Sequence, residues 1–248
     1  MKLIQLNMWQ GRILWQATDF LAAEKPDIVC LQELYSTEQR VPFWDSFSGY
    51  EEVQKALPEL KYWFFAPLYS YDVNGRKVTG GNAIGSKYPI SDEQIVFVHG
   101  QYEEVLDPTS NVRNLQTCRL DLGEGKHLSI LNHHAYWDPD PMGGPENVVK
   151  MRKVKAIADT LPRPMMMCGD MNVVPASETM QVFKGSLEDL TETHHIETTL
   201  TVLARAFNNH NIVPCDHILV SDDVHVKDFA AHERIMSDHK ALILTFDV

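Results

Sequence analysis

The sequence predicts an α/β protein in which β-sheets are sandwiched between helices. Many short apolar runs are separated by turn residues, whereas only a few segments have the spacing of an amphipathic helix. Several runs are apolar at consecutive positions, which is typical of strands that are buried on both faces. No Pro/Gly/Ser-rich linker or change of composition divides the chain, so we expect residues 1–248 to form a single domain.

The chain opens with a strand, a helix and a second strand, a βαβ-like arrangement. The first strand is predicted over residues 2–9, where odd-numbered positions share one face, so Asn7 lies near its end. Pro26 ends the helix predicted over 12–25. The second strand is apolar and finishes at the carboxylate of Glu33.

The later segments continue this pattern. Aromatic residues are frequent over 34–71, and we expect most of them to fill a core under a helix and a strand. Residues 123–125 predict the loop of a β-hairpin whose second strand carries Asn132 and His134 on one face and His133 on the other. The remaining expectations, in chain order, are a polar turn region over 72–80, strands over 81–90 and 93–99, a loop over 100–111 with Asp107-Pro108, a helix over 146–161, a Met-rich strand over 165–170, a short helix over 176–184, an irregular loop over 185–214, and strands over 216–221, 224–230 and 241–248.

Composition restricts the class of protein. The 34 acidic residues outnumber the 22 Lys and Arg residues, which gives a net charge of −12. Nucleic-acid binding relies on clustered Lys and Arg, so a protein that coats long duplex DNA is disfavoured. A nuclease remains an alternative, because a bound cation can supply local positive charge. We expect no membrane span and no signal peptide, and the four cysteines lack metal-ligand spacing. Reduced, buried thiols in a cytoplasmic protein are therefore expected.

Polar residues end several apolar strands or the loops that follow them. Each has a simpler explanation on its own: Asp170 and Asn172 could form a turn, Asp238 and His239 a solvated loop, and His134 a core histidine bonded to backbone. Together they are the residue types that a phosphate-ester hydrolase needs, and their carboxylate and amide oxygens suit Mg²⁺ or Mn²⁺ better than zinc. The set comprises Asn7, Glu33, His134, Asp170, Asn172, Asp216, Asp238 and His239.

These residues also occur in an ordered series of motifs, namely Leu6-Asn7-Met8-Trp9, Leu31-Gln32-Glu33, Gly81-Asn82-Ala83-Ile84 with Ser86-Lys87-Tyr88-Pro89-Ile90, Asn132-His133-His134, Gly169-Asp170-Met171-Asn172, Asp216-His217-Ile218-Leu219 and Ser237-Asp238-His239. The series resembles the endonuclease/exonuclease/phosphatase superfamily, which has the DNase I-like fold. The resemblance implies a four-layer α/β/β/α sandwich, in which two packed mixed β-sheets are flanked by helices and the active site lies at one end of the sheets.

The resemblance implies a metal site. Glu33, with Asn7 nearby, would hold Mg²⁺ or Mn²⁺, and Asp238 would help to bind the metal or to fix the site. Family members often have Thr before the catalytic His, where this chain has His133, so the assignment to His134 rather than His133 rests on its place at the strand end.

The resemblance also implies catalytic roles. Asp170 would orient and deprotonate the attacking water, and Asn172 would hold Asp170 or the phosphate. His239, oriented by Asp216, would stabilise charge on the scissile phosphate, because a neighbouring carboxylate favours the charged form of a His. His134 would donate to a phosphate oxygen or serve as an acid.

The sequence thus predicts a divalent-metal-dependent phosphoesterase that hydrolyses a phosphodiester or phosphomonoester bond. The specific alternative is a DNA or RNA endonuclease or exonuclease, and the alternative from another class is a catalytically inactive binding module on the same fold. The substrate could be a nucleic acid, a phospholipid or a small phosphorylated molecule, and the net charge favours a small or short one. Tyr136 and Trp137 could stack on a base or pack within a loop, Arg113 could contact phosphate or be a surface residue, and no protein partner is predicted.

Overall fold

Two β-sheets pack face to face and carry helices on their outer faces in the computed structural model, which confirms the predicted sandwich. The structure describes residues 1–104, 111–208 and 212–248. The predicted Asp107-Pro108 loop lies outside these residues. In the described part of the chain, no helix combines the length and hydropathy that crossing a membrane requires.

Within the described residues, the two sheets have seven and six strands. In spatial order, the first contains β12 (His225–Ala231), β13 (Leu242–Asp247), β1 (Lys2–Asn7), β2 (Ile28–Ser36), β4 (Arg76–Ser86), β3 (Tyr62–Val73) and β6 (Glu103–Glu104). The second contains β10 (Glu188–Asp189), β11 (Asp216–Val220), β9 (Met165–Asp170), β8 (Lys126–His134), β7 (Arg113–Gly123) and β5 (Ile90–His99). The helices are α1 (Leu14–Glu24), α2 (Gly49–Ala56), α3 (Pro145–Ala158), α4 (Glu178–Gln181), α5 (Leu190–Thr193) and α6 (Val202–Asn208).

Alternation along the strands builds the layers, as predicted for β1. Leu3 faces the core between the sheets, whereas Ile4 and Leu6 pack on the outer face beneath α1. The outer face of the second sheet is covered by α3, through residues such as Met151 and Val154. Cys30, Cys118, Cys168 and Cys215 are all buried and free, which confirms the expectation for the thiols.

Strand direction brings the predicted site residues to one edge of the sandwich. β1 runs parallel to β2 in one sheet, and β8 runs parallel to β9 in the other. The contact between Asn7 and Asp170 shows that both pairs deliver their C-terminal residues to the same edge. β7 and β11 are antiparallel to β8 and β9 and therefore begin at that edge. Asp216, at the start of β11, lies directly opposite Asp170, at the end of β9.

The second strand differs from its prediction. β2 does not finish at Glu33 but continues to Ser36 through a bulge against β4, because the register shifts between Leu31 and Leu34. Glu33 occupies the bulge with φ +54°, a left-handed conformation that turns its side chain out of the regular alternation.

Two connections are also more ordered than predicted. The polar turn expected over 72–80 is confined to Asn74 and Gly75, since β3 and β4 extend into a long hairpin. The segment predicted as an irregular loop over 185–214 contains β10, α5 and α6, although residues 209–211 lie outside the described part. The other predicted helices and strands are present with shifted ends.

Candidate active site

A cleft of about 330 Å³ opens at the edge where the strand ends meet. Its lining includes Trp9, Arg12 and Trp137, and Trp137 is 43% exposed. Six of the predicted site residues line it, namely Glu33, His134, Asp170, Asn172, Asp238 and His239. The other two, Asn7 and Asp216, are buried beneath its floor and contact the lining residues.

Asp170 lies at the centre of the site and is only 2% exposed. Its Oδ2 accepts a hydrogen bond from Asn7 Nδ2 at 3.0 Å, and its Oδ1 accepts one from the backbone N–H of Asn172 at 3.0 Å. The Nε2 atoms of His134 and His239 lie 3.6 Å and 3.7 Å from Oδ2. Burial raises the pKa of Asp170 to about 7, which is the range in which a carboxylate works as a general base near neutral pH.

Gly169 allows Asp170 to reach this position. Its φ is +151°, and a Cβ atom there would lie 1.8 Å from the carbonyl oxygen of His133 on the neighbouring strand. The backbone carbonyl of Asp170 then accepts the N–H of Ala135 at 2.8 Å. The Gly-Asp pair is therefore required by the close approach of β8 and β9, and not only by a turn.

The amide of Asn7 has a defined orientation. Its Oδ1 accepts the backbone N–H of Trp9 at 3.0 Å, so Nδ2 faces Asp170 and Glu33, with Glu33 Oε1 at 3.2 Å. Asn7 was predicted beside the metal, and in the structure its nitrogen rather than its oxygen faces the carboxylates. It therefore acts as a hydrogen-bond donor that holds two acidic side chains side by side.

Glu33 and Asp238 form a pair of acidic groups on the floor of the cleft. Burial raises the pKa of Glu33, and the charge of Asp238 adds to this effect. Burial likewise raises the pKa of Asp238. Two partly desolvated carboxylates that destabilise each other's charge are a donor set that fits a hard divalent cation. A second group of ligand atoms, from Asp170, Cys215 and His239, lies within 4.8 Å of one another.

His239 and Asp216 form a buried ion pair, with Nδ1 and Oδ2 2.8 Å apart. Burial opposes the charge of the imidazole, but the carboxylates of Asp216 and Asp170 hold the pKa of His239 well above its usual value. Burial also opposes the charge of Asp216, but His239 keeps its pKa low. His239 is therefore a cation at neutral pH, with Nε2 directed toward Asp170.

The loop that carries His239 is fastened by a segment that sequence patterns did not reveal. The hydroxyl of Ser237 donates to the carbonyl of Asn7 at 2.7 Å, and the N–H of Thr201 donates to the carbonyl of Asp238 at 2.7 Å. Thr199 Oγ1 accepts the N–H groups of both Cys215 and Asp216 at 3.0 Å. The segment 199–201 has no motif or periodicity, so only its pairing in the fold indicates this role.

The two adjacent histidines have different surroundings. His134, the histidine that the strand pattern favoured over His133, lines the cleft. Burial, together with the nearby charge of Arg113, holds its pKa well below the usual value. His133 points to the opposite face, where Nδ1 contacts the carbonyl of Asn114 at 2.8 Å and burial lowers its pKa to about 4. His134 is thus a neutral hydrogen-bond donor beside the cation of His239.

Arg113 also lines the cleft, although the sequence left its role open. Nε donates to the carbonyl of Ala135 at 2.7 Å, and Nη1 donates to the carbonyl of Val112 at 2.9 Å. The side-chain amide of Asn172 donates to the same Ala135 carbonyl at 3.0 Å. Among the described residues no acceptor contacts Nη2, so the guanidinium can bind an anion in the cleft. Its position at the first residue of a strand antiparallel to β8 was the signal available in the sequence.

Comparison with known proteins gives a class to this arrangement. The model of the Endonuclease/Exonuclease/phosphatase family matches residues 4–239, and no curated protein matches the chain. The chain therefore belongs to the Endonuclease/Exonuclease/phosphatase family, whose members are phosphoester hydrolases.

Solved structures share the fold at low sequence identity. An endonuclease/exonuclease/phosphatase from Beutenbergia cavernae has a TM-score of 0.74 at 15% identity, over 99% of this chain and 71% of that one. A mannosyl-6-phosphatase from Bacteroides thetaiotaomicron has a TM-score of 0.67 at 17% identity, over 100% of both chains. The human Nocturnin catalytic domain, with a bound sulfate anion, has a TM-score of 0.68 at 18% identity, over 100% of this chain and 93% of that one.

Proposed function

We propose that this protein is a divalent-metal-dependent phosphoesterase that hydrolyses its substrate by attack of a water activated by Asp170. The observation that carries the proposal is the environment of Asp170: a buried carboxylate with a pKa of about 7, held by two N–H donors and facing a cationic and a neutral imidazole. A base with that pKa can accept a proton from water near neutral pH.

Glu33 and Asp238 are the residues that we expect to hold Mg²⁺ or Mn²⁺, because their paired charges fit a hard cation. When bound, such a cation supplies positive charge near the phosphate oxygens. Asn7 holds Glu33 and Asp170 side by side by donating its amide N–H groups to both carboxylates.

His239 and Arg113 provide the positive charge that this chain itself contributes. The Nε2 proton of His239 is placed to stabilise the negative charge that develops on the phosphate, and Asp216 keeps the ring charged and in position. Arg113 Nη2 is available for a second phosphate oxygen, and neutral His134 donates a hydrogen bond. Asn172 supports both Asp170, through its backbone N–H, and the Ala135 carbonyl that Arg113 also contacts.

A small or short phosphorylated substrate is the branch that we favour. The net charge of −12 weakens long contacts with nucleic acid, and the cleft volume of about 330 Å³ suits a small ligand. A fold relative described as a mannosyl-6-phosphatase is consistent with a small monoester. The second candidate is a nuclease, supported by Trp137 on the wall of the cleft, where a base could stack.

We further propose that residues 1–248 act as one domain, and that the free thiols reflect a cytoplasmic location.

The test is hydrolysis of bis(p-nitrophenyl) phosphate, mannose 6-phosphate, single-stranded DNA, RNA and a phosphoinositide, each with Mg²⁺ and with EDTA. Wild type is compared with Asp170→Ala and with Asp19→Ala, an exposed carboxylate on α1 as the control. We expect EDTA-sensitive activity that Asp170→Ala abolishes and Asp19→Ala retains. Activity that survives in Asp170→Ala would refute the mechanism. If the protein binds Mg²⁺ but hydrolyses none of these substrates, the binding-module alternative is favoured.

A further inference from the structure

Amide side chains form a layer between the two sheets, directly below the cleft. All six are buried with 0% exposure, and none of them lines the cleft. Three of them, Gln32, Asn82 and Asn132, belong to motifs of the family and yet have no place in the catalytic site as described. The six are Gln5, Gln32, Asn82, Asn114, Gln116 and Asn132.

The orientation of Asn132 is set by backbone. Its Nδ2 lies 3.2 Å from the carbonyl of Leu31 and 3.1 Å from that of Ala83, on two strands of the facing sheet, and 3.0 Å from Gln116 Oε1. Backbone carbonyls only accept hydrogen bonds, so this end of the amide has to be the nitrogen. The oxygen of Asn132 is thereby directed at Gln32.

The orientation of Asn132 in turn fixes the orientations of two further amides, Gln32 and Gln5. Gln32 Nε2 donates to Asn132 Oδ1 at 2.7 Å, which leaves Gln32 Oε1 to accept from Gln5. Gln5 Nε2 donates to Gln32 Oε1 at 2.8 Å and to Asp216 Oδ1 at 2.9 Å. A reversed Gln5 amide would place its oxygen against two acceptors, so each amide fixes the direction of the next.

Gln5 itself shows that stability alone does not explain the arrangement. Its Oε1 is buried and has no hydrogen-bond partner among the described residues. An unpaired buried acceptor destabilises the folded state. Both N–H groups of Gln5 are instead committed to Gln32 and to the carboxylate that orients His239.

We propose that Gln5 is a positioning residue for the hydrolytic reaction, acting through Asp216 on His239, and that Asn132 and Gln32 set its direction. The inference rests on the proposed function. Asp216 is held at both oxygens, by Gln5 at Oδ1 and by His239 at Oδ2. Without the Gln5 donor, Oδ1 loses its partner and only Oδ2 stays bonded, to His239 and to Cys215 Sγ at 3.7 Å, so the carboxylate can turn about that side. The Nε2 of His239 then loses its fixed direction toward Asp170 and the phosphate.

The test compares Gln5→Met with Gln116→Met. Both substitutions remove an amide of equal size from the same layer, but Gln116 contacts Asn132 and the Phe64 carbonyl and has no contact with Asp216. We expect Gln5→Met to lower kcat about tenfold with KM unchanged, the effect of one hydrogen bond to a charged group. Both variants are expected to lower the Tm by a similar amount. Gln116→Met, however, is expected to leave kcat near wild type.

A second readout is independent of activity. The His239 Nδ1 proton, bonded to Asp216, is observable as a low-field resonance in the proton NMR spectrum, assigned with His239→Gln. We expect it to shift or broaden in Gln5→Met and to stay in place in Gln116→Met. If wild type hydrolyses no substrate, the proposed function fails, and this resonance still decides the role of Gln5.

Non-additivity completes the design. Adding Gln5→Met to Asp216→Asn is expected to lower kcat by less than twofold further, because the two residues act in one chain. If Gln5→Met does not fold, Gln5→Asn, whose amide is one methylene shorter, replaces it. Equal kcat values for the Gln5 and Gln116 variants, or an unchanged resonance in the Gln5 variant, would overturn the proposal.

Discussion

Replacing Asp170 by Asn is expected to abolish hydrolysis and, above neutral pH, to make the protein more stable. Burial raises the pKa of Asp170 from 3.8 to about 7, so the folded state binds its proton more tightly than the unfolded state does. The free energy of unfolding therefore falls as pH rises from 3.8 to 7, because the unfolded chain ionises first. Asn carries no charge and removes this pH-dependent loss.

The magnitude follows from the two pKa values and the hydrogen bonds. At 1.36 kcal/mol for each pH unit, the difference between 3.8 and about 7 corresponds to about 4 kcal/mol. The NH₂ group of Asn would face either Asn7 Nδ2 or the N–H of Asn172, so one hydrogen bond is lost at about 1–2 kcal/mol. Asp170→Asn should thus be less stable than wild type by about 1 kcal/mol near pH 4.5 and more stable by about 2 kcal/mol at pH 8.

Urea unfolding in EDTA, at intervals from pH 4.5 to pH 8.5, measures this change. Asp19→Asn, at an exposed position on α1, is the control for the substitution itself. The sign of the difference between Asp170→Asn and wild type should reverse within this range. A difference that stays constant with pH would refute the account of Asp170 as a buried group that keeps its proton up to about pH 7.

Three further outcomes are expected. Gly169→Ala should destabilise the protein by about 3 kcal/mol or more in urea unfolding, since its Cβ would lie 1.8 Å from the His133 carbonyl oxygen. Gly125→Ala is the control: open space surrounds Gly125, so this substitution should lower the free energy of unfolding by only about 1 kcal/mol. Glu33→Gln should remove the rise in Tm, about 3 °C for wild type, that Mg²⁺ at ten times its Kd produces in thermal unfolding. Both ring nitrogens of His217 contact acceptors, and the carboxylate of Asp189 outweighs the effect of burial and raises the pKa of the ring. The stability lost in His217→Gln should therefore be full below pH 6.5 and should shrink as pH rises through that higher pKa. Urea unfolding at pH 6 and pH 9 measures the difference.

Each of these outcomes has a result that contradicts it. Equal destabilisation by Gly169→Ala and Gly125→Ala would mean that β8 and β9 do not approach as closely as described. A full Mg²⁺ response in Glu33→Gln would exclude Glu33 as a metal ligand. A His217→Gln effect that is the same at pH 6 and pH 9 would show that the histidine is neutral in the folded state.

Sequence patterns were sufficient wherever a residue's role follows from its own strand. The alternation in β1 placed Asn7 near the strand end on the face of the odd-numbered positions, and the strand that ends at His134 separated that residue from His133. The ordered motifs indicated the four-layer sandwich through the family resemblance that they carry, and the two packed sheets of the structure agree with it.

Features that depend on a partner strand could not be predicted in this way. The bulge at Glu33 exists only because β2 shifts register against β4. Thr199 and Thr201 fasten the site loops through pairing that no local pattern records. The environment of Arg113 depends on the Ala135 carbonyl of the next strand, so exposure or burial could not be decided from the strand alone.

The division of the site between the sheets has a consequence for how this protein can change over time. Asn7 and Glu33 belong to one sheet and Asp170 and Asp216 to the other, and the bond from Asn7 to Asp170 spans the gap at 3.0 Å. Any exchange of side chains that thickens or thins the layer between the sheets would alter that distance before it unfolds the protein. Substitutions are therefore expected to accumulate slowly in the layer between the sheets, even at positions remote from the cleft such as Leu3. They are expected to accumulate faster on the outer helices, because packing there does not change the distance between Asn7 and Asp170.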